Sequence, residues 1–405
     1  MIVQSVNIEV NISLIPNQPQ TTAATYSMQR RIFSSEHDDF RIAVRQFVTR
    51  EITPHIRKWE DAGMVPRDVW RQSGAIGMLC PDVAEVYGGP GGDFLFNAIV
   101  HEELARGGAV SFSASLIAHS DIIAAYISEL GSEEQKQQWL PKMVAGEAIA
   151  AIGMSEPDAG SDLKAIRSMA RPDGSGGYLL SGQKTFITNG YNADVVIVAC
   201  KTEDKGISLM VVDTGLKGFR RGRLLEKIGQ KAGDTAELFF DDIALRASDV
   251  LGLPGAGFKN MMRLMPRERL AIVVTAIAEA ETAYNLALDY VRERKAFGQR
   301  VVDFQAIRFK LAEIAADLEV ARVFVDRCME EEAAGTFDIK TAAISKFWVT
   351  DVACKAIDDC LQLFGGYGYM REYPISRLWT DSRIHRIYGG TNEIMKEIIG
   401  RQLAA

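Results

Sequence analysis

The sequence predicts a mainly α-helical protein with a small β-domain set in its middle. Three observations predict this fold class. Apolar residues recur at helical spacing from Ser34 to about Ala150. Short apolar runs, separated by segments rich in Gly, Asp and Lys, then replace that pattern up to about residue 255. Helical spacing returns from Gly257 onward. A doubly wound fold would alternate strands and helices throughout, and this chain does not. At 405 residues it is too long for one hydrophobic core. The reading is a disordered tail over 1–33, a helical domain over 34–150, a β-domain over 151–255 and a second helical domain over 256–405.

The elements follow in order. Met1 to Tyr26 is rich in Asn, Gln and Thr with one charge, Glu9, which predicts a disordered tail. It has no basic segment before an apolar one, so it is no secretory signal. Patterned sequence begins just after Met28, a second candidate start. Phe40, Val44, Phe47 and Val48 then have helix spacing. Further helical runs are predicted at Asp68–Gly74, Phe94–Ala105, Ser111–Leu130 and Ser132–Ala145. Strands are predicted at Tyr178–Gly182, Val195–Ala199, Ile207–Val212 and Thr235–Phe240. Leu311, Ile314, Ala315, Leu318, Ala321 and Val325 form a stripe that faces a core.

Composition narrows the function. Apolar residues make up 47% and charged residues 24%, ordinary for a globular protein, and the net charge of −7 gives no electrostatic reason to expect nucleic acid. No uncharged apolar run reaches the ~18 residues a membrane span needs. The five cysteines, Cys80, Cys200, Cys328, Cys354 and Cys360, lack metal-ligand spacing and read as buried thiols. No metal site is expected. His101 and His119 read as packing or capping groups.

Several segments can carry chemistry. The loop Met154–Asp162 combines hydroxyls, glycine and turn residues, and can aim backbone N–H groups at a phosphate or a flavin edge, though such loops are commonly plain turns. Phe186–Gly190 ends a strand in a turn. Its Phe can flank a planar cofactor or simply fill a core. Met265-Pro266-Arg267-Glu268-Arg269-Leu270 is predicted to open a long helix, with Pro266 in its first turn and Glu268 complementing the helix dipole. Arg292–Gly298 is predicted to close that helix, with Gly298 just past its end. Leu363–Tyr369 and Ile387–Glu393 are glycine-rich breaks that permit close backbone approach to a ligand.

In this order, these segments resemble the acyl-CoA dehydrogenase family over about Ser34 to Gln402. The matching stretches are Asp234–Phe240, Arg294–Gly298 and Tyr388–Glu397, which look most like the long-chain branch. The resemblance implies an N-terminal helical domain, a β-barrel-like middle domain and a C-terminal four-helix bundle. It implies non-covalent FAD, an acyl-CoA substrate, a homotetramer built as a dimer of dimers, and electron-transfer flavoprotein as electron acceptor. It also implies residue roles. Ile152, Met154, Ser155, Gly160 and Ser161, with Phe186, Ile187 and Thr188, should hold the flavin ring and pyrophosphate. Phe186 stands where many members have Trp. Arg294, Phe297, Gln305 and Gln362-Leu363-Phe364-Gly365-Gly366 should reach the FAD of a neighbouring subunit. Thr391, Asn392 and Glu393 should close over the cofactor. Ser161, Lys259, Pro266, Arg267, Arg269 and Gly390 should contact substrate.

Many members place the catalytic Glu where this chain has Gly389. The long-chain and isovaleryl branches place it where this chain has Glu268, so the resemblance implies Glu268 as the base. The Gly389 N–H should still donate to the thioester oxygen. Opposing effects should set the Glu268 pKa: the helix N-terminus favours the carboxylate and exclusion of water raises the pKa.

Gly389 and Gly390 are expected to leave volume beside the substrate Cα. Gly107, Gly108, Ala109, Ser113, Ala114 and Ala118 are expected to permit a deep pocket. Medium-to-long acyl-CoA substrates, with branched chains tolerated, would follow. The expected setting is the cytoplasm of a bacterium or the mitochondrial matrix. Alternative readings are an acyl-CoA oxidase or a nitroalkane-oxidase-like enzyme on the same fold, or a silent CoA- or flavin-binding scaffold.

Overall fold

The structure, a computed structural model, describes residues 28–202 and 206–404. Residues 1–27 of the expected tail lie outside the described residues. Residues 28–33 do not continue it as a loose end. Arg30 bonds Glu102 and Asp326 at 2.7–3.1 Å, and Ile32 and Phe33 pack against the C-terminal core. Burial of an ion-paired guanidinium holds this segment down.

The N-terminal helices are α1 (Ser35–Phe47), α2 (Ile56–Ala62), α3 (Arg67–Ala75), α4 (Phe94–Arg106), α5 (Val110–Leu116), α6 (Ala125–Leu130) and α7 (Glu133–Val144). Wider π-turns over Ile117–Ala124 join α5 to α6 into one continuous rod. Sequence starts helices where their caps can be met. Ser132 accepts from the Gln135 N–H while Gln135 returns a bond to the Ser132 N–H.

The middle domain is a seven-stranded sheet. Its strands are β1 (Ala150–Gly153), β2 (Met169–Pro172), β3 (Tyr178–Thr188), β4 (Val195–Thr202), β5 (Gly206–Asp213), β6 (Phe219–Leu224) and β7 (Thr235–Leu245). β4 pairs β1 and β2 in parallel along one edge and β5 antiparallel along the other. The order continues β2-β3-β7-β6, antiparallel throughout. The four predicted strands are β3, β4, β5 and β7. The missed strands have poor β-signals: Ala-Ala-Ile-Gly in β1, and Phe-Arg-Arg-Gly-Arg-Leu in the exposed β6.

The C-terminal unit is built on α8 (Gly257–Glu293), α9 (Gln305–Ala333) and α10 (Ile339–Leu363), with α11 (Pro374–Ser382) and α12 (Asn392–Ala404) packed on it. The predicted α9 stripe is buried against α8, with Leu311, Ile314, Leu318, Ala321 and Val325 all at 5% exposure or less. Each large aliphatic side chain so buried contributes about 1.5–3 kcal/mol.

Two rods, Val110–Leu130 and Gly257–Glu293, are long and apolar enough by composition to cross a membrane, although charges such as Asp121 and Glu279 interrupt them. Their apolar windows are 83% buried within the protein, so that hydrophobicity serves the core. All five cysteines are free and buried.

Candidate active site

α8 begins at Gly257, earlier than the sequence predicts. Pro266 is therefore inside the helix and buried, and Glu268 lies eleven residues past the first position. Pro lacks the N–H that would mark an interior helical residue in a pattern, which is why it read as a start. The helix dipole acts over the first turn only, so it does not set the charge on Glu268.

What does set it is burial. Glu268 is 6% exposed. Its Oε1 accepts a 2.7 Å hydrogen bond from the hydroxyl of buried Tyr126, at the start of α6. Desolvation pushes the carboxyl up to about 7, against the pull of Tyr126 and Arg269, with Asp121 adding to the rise. A carboxylate poised there can exchange a proton near neutral pH.

Arg269 ties this helix to the Ile387–Glu393 loop. Its Nε donates to the Gly389 carbonyl at 3.2 Å. Lys346 of α10, itself buried, donates to the Gly390 carbonyl at 2.7 Å and to Asn392 Oδ1 at 3.0 Å. Burial, with Arg269 nearby, pushes the Lys346 ammonium down to about 7. With both carbonyls engaged by cations, the Gly389 N–H has no hydrogen-bond acceptor among the described residues. Gly389 and Gly390 have φ of +65° and +89°, conformations that glycine takes without strain.

Below this loop lies a hydrogen-bonded chain of buried groups. His385 Nε2 is 2.7 Å from Glu279 Oε2, and its Nδ1 is 2.8 Å from the Tyr388 hydroxyl. Burial raises the Glu279 carboxyl and lowers His385 to about 3, so the imidazole is neutral at pH 7.

The structure brings the expected flavin-loop residues together. The Thr185 N–H donates to the Ser155 carbonyl at 3.0 Å, and Lys184 Nζ to the Met154 carbonyl at 3.0 Å, so the loop runs beside the end of β3. Ile152, Met154, Ser155 and Thr188 are half-buried, while Gly160 and Ser161 are exposed. Ile187 points into the β-core. Phe186 is 72% exposed, so the reading of a core Phe does not hold. Asn189 bonds the Ser115 and Ala150 carbonyls, which fixes this strand end against the rod that carries Tyr126. An exposed aromatic face beside Thr and Ser hydroxyls and loop N–H groups fits a planar, largely apolar ring with polar edges, as in a flavin.

A second group converges elsewhere. Arg294, Gln362, Leu363, Phe364, Gly365 and Gly366 line an open cleft of about 530 Å³ with Tyr290 and Tyr367. Gln305 is exposed at the start of α9. Phe297, 97% exposed, and Gly298 form the tip of a hairpin between Lys295-Ala296 and Gln299-Arg300. Gly298 is thus a hairpin residue, and α8 ends at Glu293 without it.

Other expectations are corrected. Arg267 does not stand with Arg269. Its Nη2 is 2.7 Å from Asp82 and 3.8 Å from Asp121, and its guanidinium lies over the Phe94 ring, so it ties α8 to the N-terminal domain. Asn392 turns inward to Lys346, Thr350 and Asp351, leaving Thr391 half-buried and Glu393 exposed at the surface of the loop. Lys259 is exposed beside Phe258, over whose ring lies Lys164, three residues beyond Ser161. The space beside Gly389 is restricted on one side: a Cβ there would lie 2.6 Å from Ile272 Cδ1, which would have to move. Gly107 packs on Val48 and Thr53, and Gly108 on Arg377, while Ser113 bonds His101 and Thr275. These small residues serve close helix packing.

His101 bonds Asp121 and Ser113, and His119 bonds the Met143 carbonyl and the Ala150 N–H, as packing groups should. Sequence reasoning missed Tyr126, Lys346, Glu279 and His385 as parts of the site. The available signal was polar residues within otherwise apolar helical runs, such as Tyr126 in Val110–Leu130.

A three-domain fold that holds a desolvated carboxylate next in the chain to an arginine that fixes a loop with a free backbone N–H defines an enzyme suited to taking a proton beside a carbonyl. Comparison with known proteins agrees with that class. The family profiles for the acyl-CoA dehydrogenase N-terminal, middle and C-terminal domains match residues 34–147, 151–243 and 255–404. The chain is 47% identical over 380 residues to the mitochondrial long-chain specific acyl-CoA dehydrogenase of Sus scrofa, covering 92% of this chain and 88% of that one. The crystal structure of an acyl-CoA dehydrogenase from Geobacillus kaustophilus matches with a TM-score of 0.91 at 45% identity, over 93% of this chain and 100% of that chain. A glutaryl-CoA dehydrogenase from Mycobacterium smegmatis, in complex with FADH2, matches with a TM-score of 0.87 at 28% identity, over 92% and 95% of the two chains. The chain belongs to the acyl-CoA dehydrogenase family.

Proposed function

We propose that this enzyme oxidises the Cα–Cβ bond of medium-to-long fatty acyl-CoA thioesters to trans-2-enoyl-CoA, with Glu268 as the base. As a member of its family it is an acyl-CoA dehydrogenase, an oxidoreductase of fatty acid metabolism with FAD as cofactor. The observation that carries the reading is the link from Glu268, through its neighbour Arg269, to Gly389. It holds a proton acceptor and a backbone donor in one frame.

Glu268 removes the α-proton and becomes a carboxylic acid, a change that its burial makes inexpensive near neutral pH. The Gly389 N–H donates to the thioester oxygen as negative charge develops there. Ser155, Phe186 and Thr188 orient the cofactor, and Arg294, Gln305 and Gln362–Gly366 contact the cofactor of a neighbouring subunit in a homotetramer. When bound, FAD supplies the acceptor for the hydride that leaves Cβ. Ser161, Lys259 and Arg269 stand along the substrate path. Electron-transfer flavoprotein takes the electrons onward, in a bacterial cytoplasm or a mitochondrial matrix. Identity to a long-chain specific relative supports the chain-length assignment.

Anaerobic titration of the flavin-loaded protein tests this. Bleaching by C8–C16 acyl-CoAs ahead of butyryl-CoA is the expected result. Absence of bleaching by any acyl-CoA overturns the activity, and rapid reoxidation by O₂ would favour an oxidase.

A further inference from the structure

We propose that Tyr126 is a positioning residue for the base: its hydroxyl donates to Glu268 Oε1 at 2.7 Å and leaves Oε2, which carries no hydrogen bond among the described residues, to take the substrate proton. The proposal rests on Glu268 being the base.

The surroundings of Tyr126 are aliphatic. Ile123, Ala124 and Ile127 on the same rod are fully buried. A phenol hydroxyl buried in such surroundings is costly unless bonded, and among the described residues its one hydrogen bond is to Glu268. The π-turns over Ile117–Ala124 immediately precede Tyr126. An added residue per turn rotates everything that follows, so the ring direction depends on this local departure from α-geometry. Wider turns of this kind are frequent at functional sites.

The charges that face the pair come from several elements. Arg269 lies on α8 itself, Asp121 on the π-turns, and Arg263 acts on Tyr126 from the turn before. Lys346 of α10 faces Arg269. Among these, Tyr126 is the group hydrogen-bonded to the carboxylate. A donor to a carboxylate favours the charged form, so Tyr126 opposes the rise that burial imposes.

In the step itself, the Cα–H bond breaks and an O–H bond forms at Oε2. The electron pair stays on Cα, delocalised onto the thioester oxygen, and would enter the new double bond as the Cβ hydride leaves to the acceptor that bound FAD would supply. Tyr126 keeps its proton throughout. Its hydrogen bond fixes the carboxylate rotamer and is weakened as Glu268 becomes neutral, which tunes when Glu268 can accept a proton.

Two changes at Tyr126 test this in the FAD-loaded enzyme. Tyr126→Phe removes only the hydroxyl. The acid limb of the kcat/KM–pH profile should move up by about one unit, since a hydrogen bond to a charged group contributes about 1.5–3 kcal/mol and one unit is 1.36 kcal/mol. At pH 7 kcat should fall about fivefold with KM little changed, and raising the pH should restore it. Replacement of Tyr126 by 3-fluorotyrosine, a stronger donor, should move the limb down. The infrared carboxylic-acid band of Glu268, identified by its loss in Glu268→Gln, should titrate in parallel without turnover. If Glu268→Gln is inactive but neither change at Tyr126 moves the limb or the band, Tyr126 is only a packing residue and the proposal is overturned. If Glu268→Gln turns over at the wild-type rate, the base assignment falls and the proposal with it. Should Tyr126→Phe not fold, the fluorotyrosine arm decides.

Discussion

Arg269 Nε donates to the carbonyl oxygen of Gly389 at 3.2 Å, one residue along α8 from the carboxylate of Glu268. The guanidinium thereby links the turn that carries Glu268 to the loop that carries the Gly389 N–H. Lys is a flexible point charge and does not reproduce a planar Nε–H donor. Arg269→Lys should fold and bind FAD, yet lose on the order of tenfold to a hundredfold in kcat, the scale of a small misplacement of reacting groups. Steady-state kinetics with a long-chain acyl-CoA checks this, and an unchanged kcat would remove Arg269 from the account.

Glu268→Gln should retain FAD and acyl-CoA binding while turnover falls by about 10²–10⁴-fold, the usual contribution of a general base. The wild-type pH profile should carry the same signature. Burial holds Glu268 near 7, and only its ionised form accepts a proton, so kcat/KM should drop as pH falls below about 7. A profile flat from pH 8 to 5.5 would show that another group is the base.

Moving the carboxylate to position 389 meets an obstacle that the sequence did not show. Gly389 has φ +65°, and a Cβ there collides with Ile272 Cδ1 at 2.6 Å. Left-handed backbone costs a side chain about 1–3 kcal/mol, and the contact adds to it. Glu268→Gly with Gly389→Glu should recover little activity by itself. Adding Ile272→Ala should raise the recovery several-fold. Equal activity with and without the Ile272 change would contradict the geometry.

His119 should make the fold sensitive to acid. Its Nδ1 accepts from the Ala150 N–H at 3.2 Å and its Nε2 donates to the Met143 carbonyl at 3.1 Å, so the ring is neutral. Burial holds it down to about 4. The unfolded ring takes a proton near 6.5. Its stability contribution is thus present above pH 6.5 and is lost as pH falls toward 4, at up to about 1.4 kcal/mol per unit. His385, held lower still, adds in the same direction. Raised carboxyls such as Glu268 act in the opposite sense and alike in both proteins, so the check is a difference: the gap in urea midpoint between wild type and His119→Asn should shrink from pH 7.5 to 6 to 5.

The sequence by itself determined the order of the domains and most elements. Helical spacing in Leu311–Val325 and the apolar runs of β4 and β5 are local properties, legible because each residue's environment repeats along one element. The ordered motifs were also enough to single out Glu268, Gly389 and the Met154–Asp162 loop as candidates. Tertiary structure decided the rest. Pro266 read as a helix start because a sequence cannot show that the preceding turns, Gly257–Met265, are held helical by packing. Gly389 read as empty space because only the fold brings Ile272 beside it. Arg267 and Arg269 looked equivalent, yet helix rotation sends one to Asp82 and the other to Gly389. Tyr126 meets Glu268 across 142 residues of chain. Partners so distant in sequence leave no local pattern, because burial and hydrogen bonding are properties of where helices pack.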